Sequence, residues 1–227
     1  MPLPRPISYA FPDESAPHAH TGAWVASVLR TSIADGQLAP GTKLSEQRLA
    51  EELKVSRNTL REAFTVLAGE LIVTRLPNRG VFVTSPDAEQ IREIYRVRRL
   101  LEPAAILWGT RLDVPALEGV VETAHRARNE GDIAAMASAN QRFHEQLIRA
   151  TESSQVERLM TQVLAQMRLV FHAMHRAPDF HSHYVDANIA LVQLLREGQR
   201  SAAADELRTY LDRAEAELLA HLEADGD

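Results

Sequence analysis

Cysteine is absent from all 227 residues, which leaves neither a disulfide framework nor a thiolate metal site. Long apolar runs are missing too. No stretch approaches the roughly eighteen residues a membrane-spanning helix needs, and the N-terminus lacks a charged-then-apolar leader pattern. A soluble cytoplasmic chain with no membrane partner is therefore expected. Internal repeats and low-complexity tracts are also lacking, as is any strand-like alternation beyond residue 87. No nucleophile–base pair stands out, so an enzyme is not expected. An excess of positive charge is lacking as well, since the chain stands at −6. That balance argues against a polyanionic partner until it is divided. Residues 1–85 carry nine Lys/Arg and eight Asp/Glu, a net of +1, whereas the remainder carries sixteen and twenty-three, a net of −7. Local placement of charge, rather than its sum, decides phosphate binding.

What is present is concentrated between Lys43 and Thr84, in KLSEQRLAEELKVSRNTLREAFTVLAGELIVTRLPNRGVFVT. Ser45 is suited to cap a helix, with Leu49 and Leu53 four apart on one face. Lys54-Val55 supplies a break and Ser56 a second cap. Leu60, Phe64 and Leu67 then form the buried stripe of a second helix, which Gly69 is expected to end. Arg57, Asn58 and Arg61 fall away from that stripe. Leu71-Ile72-Val73 and Val81-Phe82-Val83 flank the turn-forming Pro77-Asn78-Arg79-Gly80, predicting a two-stranded hairpin with Arg79 at its tip. Upstream, Trp24, Val28, Leu29 and Ile33 make the face of a first helix stopped by Gly36. The first twenty residues hold five prolines and no periodicity, so 1–18 is expected to be a flexible arm. The order helix, turn, helix, wing puts the N-terminal residues of the second helix at base edges in a major groove. Acidic residues such as Glu51, Glu52 and Glu62 are expected on faces turned away from that groove.

PGTKLSEQRLAEELKVSRNTLREAFTVLAGELIV followed by RLPNRGVFV resembles the N-terminal winged-helix domain of GntR-family transcription regulators. The family pattern is PG, then L-x-E-x-x-L-A-x-x-x-x-V-S-R-x-T-(V/L)-R-E-A-L-x-x-L, with Phe64 here where leucine is common. The resemblance implies DNA contacts for Arg48, Ser56, Arg57, Asn58, Thr59 and Arg61, with Arg79 and Gly80 in the wing. The chemistry agrees: Arg grips guanine with two donors, Asn addresses adenine, and Ser or Thr reaches phosphate.

From Asp87 onward the period is helical. Helices are expected over about Asp87–Thr110, with Ile91, Ile94, Val97, Leu101 and Ile106 inward and Pro103 bending or breaking it. Others are expected over Val114–Asn129, Asp132–Ala150, Ser153–His175, His183–Glu197 and Arg200–Ala224. The fold class expected is mainly α: an N-terminal winged helix-turn-helix with a small β-hairpin, then an all-α antiparallel bundle. The domains expected are the arm at 1–18, a DNA-binding domain at 19–85, and an effector-binding and dimerisation domain at 86–227.

The second half, through YRVRRLLEPAA, N-x-x-x-H and a glycine-joined final helix pair, resembles the all-helical effector domain of the FadR-type branch of that family. Many members hold a divalent metal there with an aspartate, a histidine four residues later, and one histidine from each of the last two helices. Here that pattern is damaged. Asn140 stands for the aspartate, His144 is kept, and Asn188 and Tyr210 occupy the other two positions. Irving–Williams metals favour imidazole over amide oxygen, so no metal and no cofactor are expected. Asn140, His144, Asn188 and Tyr210 would instead hydrogen-bond an organic effector or form a satisfied polar cluster. Arg98, in a Tyr95-Arg98-Glu102 stripe, and Arg168 are candidates to clamp a carboxylate effector, with surface salt bridging as the alternative.

Together these imply a homodimeric, effector-controlled regulator of a short inverted-repeat operator in double-stranded DNA, a repressor by expectation. One alternative is a metal-dependent regulator using His172, His175, His181 and His183 with Asp179, in HAMHRAPDFHSH. Others are a metallohydrolase bundle fused to a DNA-binding head, and an effector-blind architectural protein.

Overall fold

A computed structural model describes residues 21–34, 36–173 and 178–224. The expected arm at 1–18 lies outside the described residues. The chain divides into two compact units that part between Pro86 and Asp87.

In the first unit, α1 (Gly22–Ala34) packs on α3 (Arg57–Gly69), with the short α2 (Glu46–Glu52) beside α3. Ser45 caps α2 by accepting from the Arg48 N–H, and Ser56 caps α3 by accepting from Thr59 N–H at 3.0 Å. Lys54, between the two helices, takes a left-handed φ of 52°. Leu49, Leu53, Leu60, Phe64 and Leu67 are all buried with Val25, Leu29 and Ile33 of α1. Each such side chain contributes about 1.5–3 kcal/mol. Arg30 of α1 clamps Glu70 with two bonds of 2.9 and 2.7 Å.

The wing differs from expectation in two ways. It is a three-stranded antiparallel sheet, because β1 (Lys43–Leu44) pairs with β3 (Gly80–Val83) on the side away from β2 (Val73–Leu76). Two residues are too few for an alternating pattern to show. Leu71 and Ile72 are also not strand. Ile72 N–H donates to the Leu67 carbonyl and Leu71 N–H to Ala68, the paired bonds that close a helix end. Leu71, rather than Gly69, carries the left-handed turn, at φ 59°. Gly69 is simply the last helical residue.

The second unit is built, among the described residues, from six helices: α4 (Ala88–Trp108), α5 (Val114–Glu130), α6 (Ile133–Arg149), α7 (Ser154–Ala173), α8 (Pro178–Arg196) and α9 (Arg200–Ala224). Asp87 caps α4 in a reciprocal box with Gln90, and Asp113 and Asp132 cap α5 and α6. Gly131 closes α5 in the left-handed region, at φ 69°, which a Cβ would strain. Helix α4 packs along α9, tied by Arg99 to Asp212 at 3.0 Å and Glu215 at 2.6 Å. Phe143, Leu147, Met167, Leu191, Leu207 and Leu211 share the main core.

Three expectations are corrected. Helix α4 runs unbroken through the buried Pro103, so of the expected bend or local break the break does not occur. Its inward face is also wider and more polar than expected: Ile91, Ile94 and Ile106 are buried as read, Val97 and Leu101 are only partly so, and Tyr95, Arg98 and Glu102 join the buried set. Helix α8 starts five residues early, at Pro178, where proline suits a first helical turn because its missing N–H has no partner to lose.

Candidate functional site

The outward face of α3 is the first part of the site. Ser56, Arg57, Asn58 and Arg61 are exposed and Thr59 half-buried, while Leu60, Phe64 and Leu67 hold the opposite face in the core. The Ser56 and Thr59 hydroxyls lie 2.8 Å apart, and Asn58 donates to Glu62 at 3.0 Å. Arg61 Nε donates to Glu46 at 3.0 Å, but its side chain stays 63 % exposed. An exposed pair of this kind is worth about 0–1 kcal/mol, so it yields readily to a phosphate or base. Arg48 lies on α2 in a looser exposed pair with Glu52, at 3.4 Å.

Between α3 and the hairpin runs a groove of about 590 Å³, lined among others by Asn58, Arg61, Glu62, Arg75 and Asn78. Glu62 therefore borders this surface groove. Its carboxylate offers the acceptor that holds Asn58. Arg75 is a cation that sequence reasoning missed: it donates to the Arg61 carbonyl at 3.0 Å and to Thr65 Oγ1 at 2.7 Å. Recognising it needed the strand to extend past Val73. Arg79 at the hairpin tip and Lys43 on β1 approach the Phe82 ring at 6.0 and 5.9 Å. Gly80 adopts φ 107°, and a Cβ there would meet Lys43 Cε at 3.3 Å, so glycine is required.

The second part is a buried polar chain inside the helical unit. Arg98 Nε donates to Glu102 Oε1 at 2.6 Å, with both side chains essentially inaccessible. The other Glu102 oxygen lies 2.7 Å from His144 Nδ1, and His144 Nε2 lies 3.2 Å from the Tyr210 hydroxyl. Tyr210 also reaches Asn140 Oδ1 at 3.0 Å, which accepts from Asn188 Nδ2 at 2.7 Å. Five of the six residues expected to bind an effector thus meet in one network spanning α4, α6, α8 and α9. Sequence reasoning placed Glu102 on the right stripe but gave it no role, and it is the network's centre. Only its i+4 spacing from Arg98 could have signalled the pairing.

Arg168 stands apart. It is nearly buried and donates to Ser138 Oγ at 2.9 Å. Ser138 is two residues from Asn140, about 200° around α6.

Charge in the network is closely compensated. Burial alone would raise the Glu102 carboxyl, but Arg98 and then His144 outweigh it and hold it at about 2. Burial lowers His144, Glu102 opposes that, and Arg98 reinforces it, so the imidazole is neutral near pH 7. An ionised Glu102 can only accept, so His144 carries a proton on Nδ1, and the single Tyr210 proton serves either His144 Nε2 or Asn140 Oδ1 and not both. Burial drives the Tyr210 and Tyr95 phenols upward, keeping both neutral. The Nε donor expected to clamp a carboxylate effector is thus occupied from within the chain. Within this network two buried atoms, Arg98 Nη2 and Asn188 Oδ1, have no hydrogen-bond partner among the described residues.

Among the described residues no group of three or more His, Asp or Glu could hold a metal ion. His181 is buried edge-on against Phe171 and Phe180, and His183 contacts Glu217 at 3.1 Å. His175 and the Asp179 side chain lie outside the described residues. The metal-dependent and metallohydrolase alternatives find no support. No described helix is long and apolar enough to cross a membrane.

A capped, outward-facing helix beside a wing defines a winged helix-turn-helix of the DNA-binding class, here joined to a helical domain with a buried polar centre. Residues 22–83 match the family described as bacterial regulatory proteins, gntR family, and residues 93–223 match the FCD domain. A structure described as a GntR transcriptional regulator from Rhodococcus sp. RHA1 is 37 % identical, with a TM-score of 0.82 over 88 % of this chain and 97 % of that one. The gluconate operon transcriptional repressor of Bacillus subtilis is 34 % identical over 65 % of this chain and 62 % of its own length. The protein of that name from Bacillus licheniformis is 42 % identical over 40 % of this chain and 37 % of its own. The chain thus spans less than two thirds of either repressor. It belongs to the GntR family of DNA-binding transcription regulators, with an FCD effector-binding domain, and this is a family of regulators, not enzymes.

Proposed function

We propose that the protein is a homodimeric repressor of the FadR-type branch, acting in the cytoplasm on a short inverted repeat and released from it by a small molecule bound in the helical unit. On this reading residues 19–85 bind DNA and 86–227 bind effector and dimerise. The observation that carries it is the presentation of Arg57, Asn58 and Arg61 on the solvent side of a helix whose other side is sunk in the core. Arg57 and Arg61 read bases, Ser56 and Thr59 support the backbone approach, and Arg48 and Arg79 with Gly80 hold phosphate and minor groove. Asn140, His144, Asn188, Tyr210 and Arg98 form the effector site, with Arg168 outside it. Repression is supported by the similarity to repressors of gluconate operons.

Mobility-shift titration of the purified full chain against DNA from upstream of its own gene tests the reading. A protected inverted repeat is expected, and Arg57→Ala or Arg61→Ala should erase preference for it over scrambled DNA while the fold is kept. Unchanged preference in both variants refutes the recognition-helix assignment.

A further inference from the structure

Resting on the recognition-helix assignment above, we infer that Arg75 is a phosphate-binding residue of the DNA interface, and that Thr65 of α3 holds its guanidinium in place. β2 is an edge strand of the wing sheet, and Arg75 stands opposite Val81, which in turn stands opposite Leu44. Directly paired residues share one face of a sheet. Val81 and Leu44 are buried, so Arg75 leaves the sheet on its inner face, yet it stays exposed at the edge and reaches α3. There Nη2 donates to Thr65 Oγ1 at 2.7 Å and to the Arg61 carbonyl at 3.0 Å. Thr65 donates in turn to the same carbonyl at 2.9 Å. This closed triangle joins the two walls of the groove between α3 and the hairpin.

The triangle uses one nitrogen of three. Nε and Nη1 have no hydrogen-bond partner among the described residues, and no carboxylate among them pairs with Arg75. The other charges lining the groove are engaged, Glu46 with Arg61 and Glu62 with Asn58. Arg75 is thus a cation held on the surface by neutral acceptors, with its charge unmatched among the described residues. Its place in the groove says what would match it. On the reading above α3 lies in the major groove and the hairpin tip at the neighbouring minor groove, and a duplex divides those grooves by one sugar–phosphate strand. That strand crosses the gap between α3 and the wing, where Arg75 is fixed. A phosphate accepts from two guanidinium donors at once, and a guanidinium already held in place loses less freedom on contact. Such a contact positions the duplex and carries no base information.

Fluorescence-anisotropy titrations of the full chain at several salt concentrations, on the protected inverted repeat and on a scrambled duplex, test the inference. Arg75→Gln should weaken binding to both DNAs alike, by about tenfold per head, and reduce the slope of log K against log salt by about 1 per head. Arg75→Lys keeps the charge and should keep the slope. Thr65→Val leaves the guanidinium charged but loose, and should weaken binding about two- to tenfold with the slope unchanged. An unchanged slope in Arg75→Gln overturns the inference and leaves Arg75 a staple between strand and helix. A loss confined to the inverted repeat also overturns it, since that marks a base contact. Should Arg75→Gln fail to fold, the wild type decides on a duplex carrying uncharged methylphosphonates on the strand between the two grooves: a weaker complex supports the inference and an equally strong one overturns it. Failure of the recognition-helix reading is separate, and shows as retained preference in Arg57→Ala and Arg61→Ala.

Discussion

Glu102 reaches two partners with its two oxygens, so its removal strands both. Loss of one member of a buried ion pair typically costs about 3–5 kcal/mol, whereas exchanging the whole pair for apolar groups is often neutral. Glu102→Ala should therefore lower the denaturant-derived stability by that amount, and Arg98→Met with Glu102→Leu should recover the share due to the stranded Arg98, with the buried His144 Nδ1–H still lacking its acceptor. A single variant as stable as the wild type would mean the pair is not buried in solution. A second residue-scale effect concerns acid. Burial, with Arg168 and His183, holds His181 down at about 4, below the usual value of about 6.5. The depressed value means stability is fully present above about pH 6.5 and is lost as pH falls toward 4, at about 1.4 kcal/mol per unit. His144 acts in the same direction, while Glu102 holds its charge through this window. Between pH 7.5 and 5.0 the wild type should lose on the order of 2 kcal/mol, and His181→Leu measurably less. Equal losses in the two proteins would exclude His181 as a source.

Helix ends show which parts of the fold were legible in the sequence. The side-chain caps at Ser45, Ser56, Asp87 and Asp132 are short polar residues placed just before a periodic run, and such signals are local. The glycines at 36, 131 and 198 all take positive φ, marking turns where the chain needs that freedom. Leu71 does the same work with the wrong residue type, and no local rule announces it. That one substitution moved the first hairpin strand by two residues and hid Arg75. The buried site was legible as positions but not as a network, since Glu102 and His144 meet only through packing of helices 42 residues apart. Replacing the exposed Leu71 with glycine removes the left-handed penalty of roughly 1–2 kcal/mol and costs backbone entropy of roughly 0.5–1. Leu71→Gly should thus be neutral to slightly stabilising in thermal unfolding, and marked destabilisation would mean its side chain is covered. The helix alignment has its own check. Asn140→Asp, Asn188→His and Tyr210→His surround a His144 whose tautomer Glu102 already fixes, so the triple variant should gain zinc or nickel affinity by calorimetry. No gain would show that the four positions do not converge as a ligand set.

At the scale of the whole chain the two units carry opposite tasks and opposite charge, +1 in residues 1–85 against −7 beyond. Phosphate binding must therefore come from a few cations placed on α2, α3 and the wing, and the salt dependence should be correspondingly sensitive to each. Arg48→Ala should weaken binding to all sequences alike and reduce the slope of log K against log salt by about 1 per head. Effector control is a coupling between the two units, and coupling is reciprocal. A compound that stabilises the helical unit and lowers operator affinity by some factor, typically about 5–150-fold for 1–3 kcal/mol, must itself bind that much more weakly when operator is present. The check is a pair of titrations, DNA at saturating compound and compound at saturating DNA, which should return the same factor. A compound that binds with one affinity in both conditions has no purchase on the DNA-binding unit. Every stabilising compound behaving so would leave a DNA-binding protein that is blind to its ligands, and the regulatory reading would fall while the winged-helix assignment stood.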